Sequence, residues 1–167
     1  MAWLPTKDEI ITVEMPEEWG GIVPTHVFFD EAKRIVEEAK KRSIVIRVIG
    51  GMAIRLHSME FVGLAQKLSR LEGKQEFTDL DFMTYQKYQK KDMPQFFEDY
   101  GTTFYGKPFI KRRTTISSAT TKRHIFYHPK GWYFVDVFYE ILRMNHDILF
   151  TKRLEIDPLT ISVTDLL

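Results

Sequence analysis

The sequence predicts an α+β protein in which helices and a largely antiparallel group of strands share one core. Three observations carry that expectation. Residues 30–42 repeat apolar side chains at helical spacing and lead directly into a β-branched run, Ser43 to Ile49. Residues 102–139 read as successive strands, with Pro129-Lys130-Gly131 supplying hairpin turn chemistry. Across 167 residues, 44% are hydrophobic and 28% charged, and 13 Phe, 7 Tyr and 3 Trp promise an aromatic core within one domain.

Taken in order, residues 1–28 read as an N-terminal arm, broken by Pro5, Pro16, Gly20, Gly21 and Pro24 and carrying no visible chemistry. The domain proper is expected to span 29–167. Asp30 can cap a helix to about Arg42, with Phe29, Ala32, Ile35, Val36 and Ala39 inward and Glu31, Lys33, Arg34, Glu37, Glu38, Lys40 and Lys41 on a solvated face. The strand Ser43–Ile49 then runs into Gly50-Gly51 and a helix through His57. Glycines let backbone approach an anion closely, and a helix N-terminus offers free N–H groups. A plain tight turn is the other reading of the same pair.

Residues 58–76 read as helical through Phe61, Leu64, Leu68 and Leu71, with Gly73 as a stop. Next comes Thr78-Asp79-Leu80-Asp81-Phe82, a short strand whose alternation puts Asp79 and Asp81 on one face. Carboxylates about 6–7 Å apart along a strand repel, and a divalent cation relieves them, with Mg²⁺ or Mn²⁺ the ions suited to hard oxygen ligands. A solvated strand edge is the alternative. A helix capped by Asp92 should run to about Tyr100 and stop at Gly101. Strands are expected near Phe104–Tyr105, Phe109–Ser117, Thr121–Tyr127 and Trp132–Tyr139, and again at Arg153–Ile156.

Between Asp99 and Asp136 there is no acidic residue, while Lys107, Lys111, Arg112, Arg113, Lys122, Arg123 and Lys130 all fall there. That interval suits either a polyanion or a solvated hairpin guarded against edge pairing. Asp136 itself lies inside Tyr133-Phe134-Val135-Asp136-Val137-Phe138-Tyr139. Burying a lone carboxylate is costly unless a metal shared with Asp79 and Asp81, or an Arg or Lys, pairs with it. His57, His124, His128 and His146 show no ligand spacing. With no Cys, disulfides and thiolate chemistry are excluded. A net charge of +1 names no partner. No secretory signal and no apolar run of about 18 residues is present, so a cytoplasmic protein without membrane contact is expected.

The ordered set Ile49-Gly50-Gly51, Asp79-Leu80-Asp81 and Asp136 resembles the nucleotidyltransferase (DNA polymerase β-like) superfamily. Val48 to His57 looks closest to the branch holding AbiEii-type toxin and uncharacterised bacterial nucleotidyltransferases. The resemblance covers about residues 30–167. It implies a mixed β-sheet flanked by helices, with an antiparallel hairpin carrying the third Asp. It further implies that Asp79, Asp81 and Asp136 hold Mg²⁺ (or Mn²⁺) and that Gly50 and Gly51 cradle the phosphates of a nucleoside triphosphate. Lys111, Arg112 or Arg113 would neutralise phosphate charge. The reaction implied is transfer of a nucleoside monophosphate to a hydroxyl of RNA such as tRNA, of protein or of a small molecule, in a toxin–antitoxin setting. In that branch a helix follows the Arg153–Leu167 tail, so a protein partner completing the cleft is expected. The alternative is a catalytically inactive module of the same fold that binds RNA or a partner protein.

Overall fold

A computed structural model of the chain describes residues 13–61, 63, 75–112, 123–143 and 147–162. The expected α+β architecture is present. Five strands form a mixed sheet in the order β1-β2-β5-β4-β3, from β1 (Ile46–Val48), β2 (Asp79–Thr84), β3 (Ile110–Lys111), β4 (Arg123–Tyr127) and β5 (Phe134–Tyr139). Only β2 and β5 run parallel; the other pairings are antiparallel. A separate ribbon joins β6 (Ile141–Arg143) to β7 (Asp147–Leu149).

One face of the sheet is closed by α1 (Thr25–Lys41) and α3 (Asp92–Tyr105). Phe28, Ala32, Ile35, Val36 and Ala39 of α1 meet Leu80, Phe82, Val135 and Val137, with Phe96, Phe97 and Tyr100 of α3 completing the core. The other face holds a smaller cluster of Ile49, Met83, Phe150, Leu154 and Ile161. Strand alternation sends Leu80 and Phe82 into the large core, and so turns Asp79 and Asp81 to the less covered side.

Several local expectations change. Helix α1 starts at Thr25, after the fixed backbone of Pro24, so Asp30 lies inside it and caps nothing. Glu31 belongs to the buried face, at 1% exposure. Its carboxylate accepts from Tyr133 Oη and from Tyr100 Oη at 3.2 Å and pairs with Arg34. Two aromatic hydroxyls from distant positions and a cation one turn along the same helix make that burial tolerable. Helix α3 is preceded by Lys91 as its cap rather than beginning after Asp92. It runs through Gly101 and takes in Phe104 and Tyr105, ending at Gly106 with φ +72. Residues 153–156 lie in turns, not in a strand. Most of the helix expected over 58–76, including Leu64, Leu68, Leu71 and Gly73, lies outside the described residues; Met59–Phe61 form one 3-10 turn. Residues 113–122, His146 and 163–167 also lie outside them.

The hairpin turn is as expected: Gly131 adopts φ +71 and its N–H donates to His128 O at 2.9 Å. Residues 147–162 return to the sheet edge, where Val48 N–H donates to Leu159 O and Ile161 N–H donates to Val48 O. No described helix is long and apolar enough to cross a membrane.

Candidate metal centre

The parallel pairing of β2 with β5 places Asp81 directly opposite Asp136, with Asp79 two residues earlier on the same face. One carboxylate oxygen from each of Asp79, Asp81 and Asp136 falls within 4.8 Å of the others. Asp136 is 6% exposed, and the other two are half-buried. The large-core face is filled with hydrocarbon, so the three carboxylates crowd on the other side, where Thr78 Oγ1 donates to Asp79 Oδ1 at 3.0 Å and Arg123 reaches Asp136.

Burial pushes the Asp81 carboxyl up to about 7, and the charges of Asp79 and Asp136 push the same way, with Arg123 opposing. Burial also raises Asp136, against the pull of Arg123. Asp136 Oδ2 accepts from Arg123 Nη1 at 3.2 Å, while its buried Oδ1 has no hydrogen-bond partner. Both explanations offered by the sequence for this residue therefore coexist: an ion pair on one oxygen and an open position on the other. A buried oxygen without a partner is costly, and a hard cation would satisfy it. Three carboxylates with such an open oxygen fit Mg²⁺ or Mn²⁺ by charge and by donor type.

The glycine pair borders the cluster. Gly50 and Gly51 open α2 (Gly50–His57), which Ile49 precedes without any capping side chain. Ile49 N–H donates to Asp81 O at 2.9 Å, tying the turn to β2. Gly50 has φ +65, and a Cβ there would fall 2.9 Å from Asp81 Oδ2; around Gly51 the space is open. So Gly50 is required both by backbone conformation and by the approach of a carboxylate. In Gly50→Ala the left-handed conformation costs about 1–2 kcal/mol, and Asp81 must swing aside to relieve the contact. A thermal melt should show the first effect. Titration with Mn²⁺ should show at least about tenfold weaker binding from loss of one well-placed ligand, and an unchanged affinity would contradict this placement of Gly50.

The basic residues separate. Lys111 pairs with Phe126, and Phe126 with Val135, so exposed Lys111 lies on the face opposite Asp136. Arg112 N–H donates to Ile125 O, and Ile125 stands opposite Asp136, which puts Arg112 on the carboxylate side; its charge lowers the Asp136 carboxyl. Arg113 lies outside the described residues. Arg123 belongs to the site although the sequence did not single it out. Its approach to Asp136 depends on the β4–β5 register, for which the chain carries no local signal.

A carboxyl must be ionised to ligate. Below pH 7, therefore, cation affinity should fall by about tenfold per unit as Asp81 takes up a proton. The folded state holds that proton more tightly than the unfolded chain does. Its contribution to metal-free stability is thus full below about pH 4 and lost as the pH rises through 7. Mn²⁺ titrations between pH 5.5 and 8 should give that slope, and a flat profile would remove Asp81 from the ligand set.

No protein-family model, curated protein or solved structure matches this chain.

Proposed function

We propose that this chain is a metal-dependent nucleotidyltransferase that moves a nucleoside monophosphate from a nucleoside triphosphate to a hydroxyl acceptor, with release of pyrophosphate. One observation carries the reading: three carboxylates from adjacent parallel strands converge beside a glycine-opened helix N-terminus, and the deepest of them keeps a buried oxygen without a partner. The order of these parts along the chain agrees with the resemblance described above.

In this reading Asp79, Asp81 and Asp136 hold the ion or ions. A bound Mg²⁺ or Mn²⁺ supplies Lewis-acid stabilisation of phosphate oxygens and makes the acceptor hydroxyl easier to deprotonate. The N–H groups at Gly50 and Gly51 bind phosphate oxygens at the positive end of α2. Arg112 and Arg123 offset phosphate charge from the far side of Asp136. A cytoplasmic setting, an RNA or protein acceptor and a toxin–antitoxin role belong to the same proposal.

Titrating ATP, GTP, CTP and UTP into the protein calorimetrically, with and without Mg²⁺, tests it. Binding of at least one nucleotide that requires the metal is the expected result. The Arg123–Asp136 ion pair favours a second reading, a non-catalytic module whose acidic cluster is neutralised from within. Under that reading no nucleotide binds, Mn²⁺ has no effect on melting, and RNA binding falls steeply with salt whether or not Mg²⁺ is present.

A further inference from the structure

Arg123 opens β4 directly opposite Phe138, and its side chain crosses diagonally to Asp136 on the neighbouring strand. Such a diagonal spans about 7–8 Å, within reach of an arginine. The guanidinium also stands 6.0 Å from the centre of the Phe138 ring. Its side chain remains 44% exposed, against 9% for that of Asp136. One end of this pair is thus fixed in the sheet, and the other lies at the surface and can move.

The contact is also incomplete. An arginine settled on a carboxylate tends to bond both oxygens through its planar fork. Here Arg123 reaches Oδ2 alone and leaves Oδ1 buried and unbonded. A half-exposed, single-contact pair is weak and readily exchanged. Arg123 shares its sheet face with Asp79, Asp81 and Asp136, because the pairs Arg123–Phe138, Ile125–Asp136 and Asp81–Asp136 alternate consistently.

We infer that Arg123 is a phosphate-binding residue held in store on Asp136. It balances Asp136 while the carboxylates lack a cation, and transfers to the phosphate of the ligand once a divalent cation takes the carboxylates. A metal seated on Oδ1 draws charge away from Oδ2 and weakens the single contact there, which the half-exposed guanidinium can then leave. The ligand's phosphates, drawn to the same cation and to the start of α2, then offer it a stronger anion. The inference rests on the nucleotidyltransferase reading in one respect, that the ligand carries phosphate.

The two halves of the exchange have opposite signs in one variant. Arg123→Gln should bind Mn²⁺ alone about three- to fivefold more tightly, since a competing surface charge is gone. The same variant should bind Mg²⁺ with inorganic tripolyphosphate about tenfold more weakly or worse, having lost a charge-assisted contact. Tripolyphosphate removes any dependence on the base. Arg123→Lys keeps the charge without the fork, and should show near-normal Mn²⁺ affinity with a smaller phosphate loss. Melting curves establish that each variant is folded. Unchanged affinities in Arg123→Gln, or a parallel fall in both, would make Arg123 a structural tie and overturn the inference while leaving the metal site intact. If the unaltered protein binds neither Mn²⁺ nor tripolyphosphate, the nucleotidyltransferase reading falls first, and this inference with it.

Discussion

In the Asp79→Asn/Asp81→Asn protein, Mg²⁺-dependent nucleotide binding should vanish from the calorimetric trace while the metal-free protein melts at a higher temperature than the unaltered chain. The two effects have one cause. Asparagine preserves size and one oxygen but removes the charge that holds a hard cation, and losing two of three carboxylates should weaken binding by well over about a hundredfold. Without metal those charges are a burden. The Asp81 carboxyl is held up at about 7 by burial and by its two acidic neighbours, so at pH 8 the folded protein carries a charge it would rather protonate. Allowing for its partial exposure, removing that charge should return about 1–2 kcal/mol, or about 2–8 °C in a chain of this size. At pH 5 Asp81 is already protonated, so the gain should nearly disappear there. A double variant that melts lower at pH 8, or that still binds nucleotide with Mg²⁺, would contradict the arrangement of the cluster.

That cluster was readable in advance because each of its parts follows from a local rule. Alternation puts Asp79 and Asp81 on one face, a pair of glycines after a strand starts a helix, and an aspartate among Val and Phe needs a partner. What the sequence could not give was everything that depends on pairing between distant strands. The facing of Asp81 and Asp136 comes from a parallel β2–β5 register, and the same sheet decides that Arg112 and Arg123 turn toward the carboxylates while Lys111 turns away. Glu31 shows the limit most clearly. Charge patterning assigns it to solvent, yet Tyr100 and Tyr133, which lie 69 and 102 residues further along, supply the hydroxyls that let it be buried. A helical period identifies a face, but it does not reveal which polar group on that face will meet a donor.

Gly101 reads as a helix stop for a related reason, and its substitution carries a large stability effect. Glycine after an amphipathic run reads as a helix stop, but α3 continues through it to Tyr105 and stops at Gly106. A Cβ on Gly101 would lie 2.5 Å from Phe109 N, 2.6 Å from Lys107 O and 2.8 Å from Pro108 C. All three are backbone atoms, so no rotamer change makes room. The segment they belong to crosses α3 here, with Phe109 N–H directed at Phe97 O, and then delivers β3 to the sheet edge. Phe109 packs against Phe97, Tyr100, Tyr105 and His128, so moving its backbone disturbs the whole aromatic end of the core. Alanine's better helix propensity returns less than about 1 kcal/mol, whereas forced separation of packed backbone costs about 3 kcal/mol or more. Gly101→Ala should therefore melt about 6–12 °C lower. Gly106→Ala, with φ +72 but open space around the new methyl, should lose only about 1–2 kcal/mol. A helix stop at Gly101 would cost only the left-handed conformation there, about 1–2 kcal/mol, and almost nothing at 106, so the sizes of the two losses decide whether this glycine ends the helix or lets the chain cross it.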